Sequence, residues 1–320
     1  MNTPAAASLR PVGEACLPEA VVGLAWIGSS LACTCADGSV HVDGRPDLRR
    51  PPGPGVVVAV ACGPAWEMAT IDHRGDVRVG QAAQRLGGWG RRVWWSDPGR
   101  LVAVTSAGVH GGRPGELAPI RCDVGHVVDA CLLPGSRVAL GTADGLVIVD
   151  HENGTVDAER RTSMACAFAL SADGQRLAVG EAGGSVHVVD LVSGLGTGVD
   201  GYGTPVRRLT WAGEHLVVCD LDEVNSWPVT ADGNVAVDAP VRLLAHDGPI
   251  AALASRGGNV VAAGDAAGRL LLLAADREER ALAQAELPAG VASLAWSTSG
   301  WHLAVGCLDG TLRRFDLSLG

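Results

Sequence analysis

One pattern recurs along this chain, and an internal repeat constrains a fold more than any other sequence feature. Three segments align closely: SADGQRLAVGEAGGSVHVVDL from Ser171, STSGWHLAVGCLDGTLRRFDL from Ser297 and SRVALGTADGLVIVD from Ser136. Each reads as a strand, a tight glycine-containing turn and a second alternating strand. Weaker copies begin at Ser30, Trp66, Arg100, His215 and Asn259, which makes eight units. A further strand precedes each unit and ends on a shared column: Trp26, Cys62, Trp95, Leu133, Leu170, Trp211, Ser255 and Trp296. Successive column members lie 33 to 44 residues apart. A four-stranded propeller blade takes about 40–45 residues.

The sequence therefore predicts an all-β chain, with residues 1–320 forming one β-propeller domain of eight four-stranded blades. Seven blades plus an irregular N-terminal unit is the alternative. Fourth strands are expected at residues 154–161, at Val241–Ala245 and, by assignment of an ambiguous apolar stretch, within residues 278–287. The last unit reaches Gly320 just after its third strand, and an open edge invites aggregation. Residues 7–12 are the natural donor of the missing strand, where Pro11 is tolerated because an outermost strand leaves one side unpaired.

Units five and eight resemble WD-repeat propellers: a glycine near the end of the second strand, a glycine turn, then Val189-Asp190 or Phe315-Asp316. Gly125-His126 and His246-Asp247-Gly248 are similar to that family's histidine signals. No copy carries the Trp before the closing Asp, and unit six has Leu221-Asp222-Glu223 in place of the glycine turn. The resemblance covers nearly the whole chain. It implies a non-catalytic interaction platform that binds a protein or peptide on its upper face.

Composition narrows the function classes. With 47% hydrophobic residues the chain has enough apolar surface to build a core. No apolar run approaches the roughly 18 residues of a transmembrane helix, and residues 1–18 lack a basic start followed by an apolar block, so neither membrane span nor signal peptide is expected. The net charge is −10 and the arginines are scattered, which excludes a nucleic-acid footprint. All 25 basic residues are arginine, beside 44 Gly, 2 Phe and 1 Tyr, a bias that fits a GC-rich bacterial genome. Nine cysteines, an odd number, fit a reduced, cytoplasmic protein.

Catalytic signatures are missing: there is no H-E-x-x-H, G-x-S-x-G, Walker loop or C-x-x-C. No enzyme activity or cofactor is expected. Gly194-Leu195-Gly196-Thr197-Gly198 follows a strand, but no helix opens after it, so it reads as a blade connection. His151-Glu152 reads as solvated turn. Trp26, Trp95, Trp211 and Trp296 recur at one place and read as packing between blades, with Trp66 and Trp94 outside the column.

Two clusters are candidate sites. Four places before the column, blades 3 and 6 carry Arg91 and Arg207, each followed by a second arginine, Arg92 and Arg208. The position after the second strand holds acids in blades 2, 5 and 7: Asp72, Glu181 and Asp265. Together they form either inter-blade ion pairs or a mixed-charge upper rim that receives a partner peptide or a small anion. At the seam, Cys35 and Cys307 occupy one repeat position in blades that closure makes neighbours, with Cys33 and Cys16 nearby. Convergence there would suit zinc or copper(I). The simpler reading is that cysteine fills crowded strands as a small apolar residue. A small-ligand or metal-binding propeller, with or without enzyme activity at the channel mouth, stands as the alternative function.

Overall fold

The second strand of each repeat is a near-continuous apolar run, such as Leu303-Ala304-Val305-Gly306, because it is covered on both faces. One face meets the preceding blade and the other the following one. That double burial requires sheets stacked side by side in a closed ring. The computed structural model describes residues 7–51, 53, 55–63, 67–220, 223–230, 234–236, 240–245, 249–278 and 281–318. Within them eight antiparallel sheets form an eight-bladed β-propeller with almost no helix.

The first strands line the channel: Val21–Ile27, Val57–Cys62, Gly90–Asp97, Val127–Leu133, Ala165–Leu170, Arg208–Ala212, Ile250–Ser255 and Val291–Trp296. Each contacts the next, and the last contacts the first. We call the face where these strands begin the upper face. Seven sheets have four strands. In blade 1 three strands are followed by a 3-10 turn, Pro46–Leu48, and a single bridge between Val40 and Arg50 stands where a fourth strand would run. The ambiguous 278–287 stretch contains the outer strand Ala281–Glu286.

Closure comes from the N-terminus. Ser8–Cys16 pairs antiparallel with Thr311–Ser318, from Ser8 opposite Ser318 to Cys16 opposite Thr311, with a bulge between Pro11 and Gly13. Arg10 meets Asp316 at 2.9 Å and Arg313 meets Glu14 at 3.0 Å across this seam. The pairing covers the edge that an outward-facing third strand would expose.

Blades are tied by more than apolar contact. The Nε1–H groups of Trp26, Trp211 and Trp296 donate to the carbonyls of Ala295, Ala169 and Ala254, each in the preceding blade, at 3.0–3.2 Å. The tryptophan column therefore packs between blades, and three of its four indoles are anchored on a neighbour's backbone, while the Nε1–H of Trp95 is buried without a partner among the described residues. In blade 4 the structural register corrects the column from Leu133 to Leu132. Leu132 faces Val138 in the ladder as Trp26 faces Leu31. Trp66, Leu221, Asp222 and the His246-Asp247-Gly248 turn lie outside the described residues.

Candidate functional site

The upper ends of the first strands share one irregularity. Between the first and second strands a register shift leaves an extra residue at Val22, Val58, Arg91, Val128, Cys166, Ala251 and Ala292. Such bulges bend the strand and re-aim its side chains. Repeated in seven of the eight blades, they place one side chain from each of those blades at the rim of the channel. The four-before-column position of blade 4 is thus Val128. Asp129 stands one step further on, level with Arg92 and Arg208.

That register explains the arginines. Arg92 and Asp129 occupy equivalent positions in adjacent blades and form an ion pair at 3.0 Å, with the two side chains 42% and 17% exposed. Burial pushes the Asp129 carboxyl above its usual value, against the opposing pull of Arg92. Arg91 Nε donates to the carbonyl of Val127 at 3.1 Å, and Arg208 Nε to that of Ala251 at 2.5 Å, both in the following blade. Cys166 and Ser293 bond Val206 and Val21 in the same sense. Each donor links the upper end of one blade forward, while the tryptophans link the lower ends backward. A charged donor on a carbonyl contributes about 1.5–3 kcal/mol. Arg91, Arg92 and Arg208 are therefore occupied in blade-to-blade contacts. Arg207 is exposed, and no described carboxylate pairs with it.

The three acids do not pair with these arginines. Asp72 Oδ1 accepts the backbone N–H of Arg74 and Asp76 at 2.9 and 3.0 Å, and Asp265 Oδ1 accepts those of Ala267 and Arg269 at 2.9 and 2.8 Å. Each carboxylate closes its own turn, as a short polar side chain at a strand end does. Glu181 accepts the Ser163 hydroxyl at 2.8 Å and lies 3.2 Å from His187 Nε2. The expected pairs with these three acids are therefore corrected: Arg92 pairs with Asp129 instead, while Asp72, Glu181 and Asp265 hold turns and loops in place. Asp220 fills the same strand-end role in blade 6, taking the Thr204 hydroxyl and the Gly203 N–H.

The cysteines separate for a geometric reason. Equivalent strand positions point in the same rotational sense, so side chains on adjacent blades do not converge. Cys307 points back to blade 7 and packs with Ala252, Val291 and Leu303, away from blade 1. Cys33 packs at the seam with Val21, Leu31, Ala304 and Leu312, while Cys16 is exposed on the closing strand. Burial pushes the Cys33 thiol up to about 12 and that of Cys307 up to about 11, and it raises Cys35 as well. Among the described residues, no three His, Cys, Asp or Glu side chains stand together as a metal would require. Cys35 and Cys307 thus do not converge, and Cys33, Cys35 and Cys307 are buried as small apolar residues.

Apolar side chains complete the upper mouth. Val22 and Val58 at the bulges are 36% and 39% exposed, Val56 is 39% exposed and Trp89 is 59% exposed. Trp89 stacks on His73 with ring centroids 6.2 Å apart, and His73 Nδ1 accepts the N–H of Val56 at 3.0 Å. These residues sit at the starts of blades 1 to 3.

No protein-family model matches the chain, and no curated protein matches it in sequence. Solved structures match it in shape. The computationally designed Ika8 protein superposes with a TM-score of 0.78 at 19% identity, covering 98% of this chain and 99% of its own. BamB from Moraxella catarrhalis superposes with a TM-score of 0.75 at 16% identity, covering 96% of this chain and 99% of its own. The shared fold is the β-propeller. At these identities the likeness reaches the fold and stops there. Within this propeller, sequence reading missed Val22, Val56, Val58 and Trp89 as a group. The signal was a valine or tryptophan at the entrance to a first strand, where burial alone does not require one.

Proposed function

We propose that this propeller is a non-catalytic, WD-repeat-like interaction scaffold of the bacterial cytoplasm that takes a protein or peptide partner on its upper face. The observation that carries the reading is the exposed apolar crescent of Val22, Val56, Val58 and Trp89 on a rigid rim. Exposed apolar surface gathered in one place marks an interaction site, and tryptophan is enriched among the residues that dominate binding energy. Arg207 lies on blade 6, across the ring from blade 2, and offers its guanidinium to a carboxylate of the partner. A segment with an apolar anchor and an acidic residue matches both features. The net charge of −10 disfavours nucleic acid as the partner, and no described helix is long and apolar enough to cross a membrane.

The test compares partner capture from host extract by the parent, by a Val58→Asp, Trp89→Ala variant, by Arg207→Glu, and by Val192→Asp, Leu195→Asp. The last pair is exposed at 85% and 73% on the turn between the outer strands of blade 5, away from the upper mouth. Upper-face variants are expected to keep the parental melting temperature and lose the captured partner, while the blade 5 variant retains it. Retention of the partner by both upper-face variants would overturn the reading.

A further inference from the structure

The interface between blades 1 and 2 differs from the other seven. Each of those holds a cluster of buried apolar side chains, whereas the described residues form no such cluster between blades 1 and 2. The second-strand position at the middle of each blade reads Cys33, Thr70, Ala103, Leu140, Val179, Val218, Ala263 and Val305. Only blade 2 has a hydroxyl there, and Thr70 is 2% exposed. Arg50 donates from Nη1 to that hydroxyl. Because blade 1 lacks a full fourth strand, the space beside the outer strands of blade 2 is left open. A cavity of about 740 Å³ occupies it.

Four arginines, Arg45, Arg49, Arg50 and Arg78, line this cavity, and Glu67 is the one carboxylate among its described lining residues. The segment that brings three of them, Arg45-Pro46-Asp47-Leu48-Arg49-Arg50, also carries Asp47. No described carboxylate lies within ion-pair distance of Arg49, Arg50 or Arg78. Asp72, the acid that acts on Arg50, has Oδ1 committed to its own turn, and Asp76 pairs with Arg85 at 3.0 Å. Arg50 and Arg78 repel each other in a half-buried setting, and burial lowers the Arg50 pKa. Like charges held together in a half-buried place and only partly offset by Asp72 cost stability unless an anion joins them. In a chain with net charge −10, a concentration of guanidinium groups is a local departure.

We propose that this cavity binds a phosphorylated small molecule. Guanidinium forks match phosphate oxygens bidentately, and several converging forks recognise more than one phosphate group. The side chains of Leu48, Met68 and Val79 form an apolar wall beside the cations, suited to the organic part of the ligand. The volume falls in the range of about 300–1,000 Å³ typical of small-molecule sites. This site lies at the outer flank of blades 1 and 2, below the upper mouth, and is independent of the partner surface proposed there.

Calorimetric titration of the intact chain at low salt tests the assignment with three probes: inorganic pyrophosphate, adenosine diphosphate and adenosine. Pyrophosphate is expected to saturate one site with a dissociation constant of about 10–100 μM. Adenosine diphosphate should bind at least threefold tighter by adding the apolar wall, and adenosine should show no binding. Arg49→Gln, at an exposed position, and Arg78→Gln should each weaken both anions about tenfold or more while Glu67→Gln tightens them. Melting temperatures without ligand check each variant's fold, and Arg49→Gln decides alone should Arg78→Gln not fold. No saturation by either anion below millimolar concentrations, or equal binding by parent and Arg49→Gln, would overturn the site. Equal affinity for pyrophosphate and adenosine diphosphate would overturn its assignment to an organic phosphate.

Discussion

Gly141 offers a direct measure of how tightly adjacent blades meet. It lies in the second strand of blade 4, Arg137–Thr142, opposite Asp129 and Leu146 in the two ladders. A Cβ added there would stand 2.2 Å from the carbonyl oxygen of Ala165, 3.0 Å from its carbonyl carbon and 3.1 Å from Phe168 Cε2. Ordinary contact begins near 3.5 Å, so the first strand of blade 5 would have to retreat by roughly 1 Å. The obstructing atoms are backbone, and that strand is packed against blade 6 on its other side, so no side-chain rotation relieves the clash. Overpacking of a core costs about 1–3 kcal/mol. Replacing Gly with Ala returns about 0.4–1 kcal/mol by restricting the unfolded chain. Gly141→Ala is therefore expected to lose about 1–2 kcal/mol, a fall in melting temperature of roughly 1.5–3 °C for a chain of this size. Gly306→Ala should lose a similar amount, because its Cβ would stand 2.7 Å from the Cβ of fully buried Val21, an atom fixed to the backbone of blade 1. Gly87→Ala, with nothing within 4 Å of the added atom, is the control and should melt with the parent. Calorimetric or circular-dichroism melts of the three variants decide the matter. A Gly141→Ala protein that melts with the Gly87 control would refute the close-approach reasoning.

Two further outcomes are expected. Deleting residues 1–16 removes the closing strand and opens the Thr311–Ser318 edge, so light scattering should show concentration-dependent self-association; a monodisperse truncation with parental melting would contradict this. Because burial holds Asp129 above its usual pKa in the folded state, the folded chain binds that proton more tightly than the unfolded one. Its ionisation therefore opposes folding, and the cost appears as pH rises through the carboxylate range. Arg92 offsets part of that cost, so Arg92→Gln should lose up to about 1 kcal/mol at pH 7, discounted for its exposure. It should lose nothing near pH 3, where Asp129 is protonated in both states. Equal losses at both pH values in urea titrations would exclude the pairing as the cause.

Much of the architecture was readable because repeats encode it directly. Alternation, glycine turns and a spacing of 33 to 44 residues between units point to one supersecondary unit copied eight times. The missing last strand then required a donor, which residues 7–12 supplied. Errors arose where one residue of register mattered. Leu133 stood for Leu132, because two consecutive leucines end that strand and the hydrophobic pattern does not say which of them faces Val138. A one-residue slip reverses the face of every side chain in a strand. Asp129 was thereby separated from its true equivalents, Arg92 and Arg208, and the ion pair they imply went unseen.

What the sequence determined by itself was the local unit and its number: strand, turn and strand, eight times, closed by its own beginning. These follow from hydrogen-bonding and burial rules that act over a few neighbouring residues. Only the tertiary structure decided how side chains of different blades meet. It showed Arg91 and Arg208 donating to the next blade's carbonyls and Cys307 pointing away from Cys35. It also set four arginines around the space left by an absent strand. Such contacts join residues about 40 positions apart through the twist and stacking of sheets, and no local pattern carries that geometry.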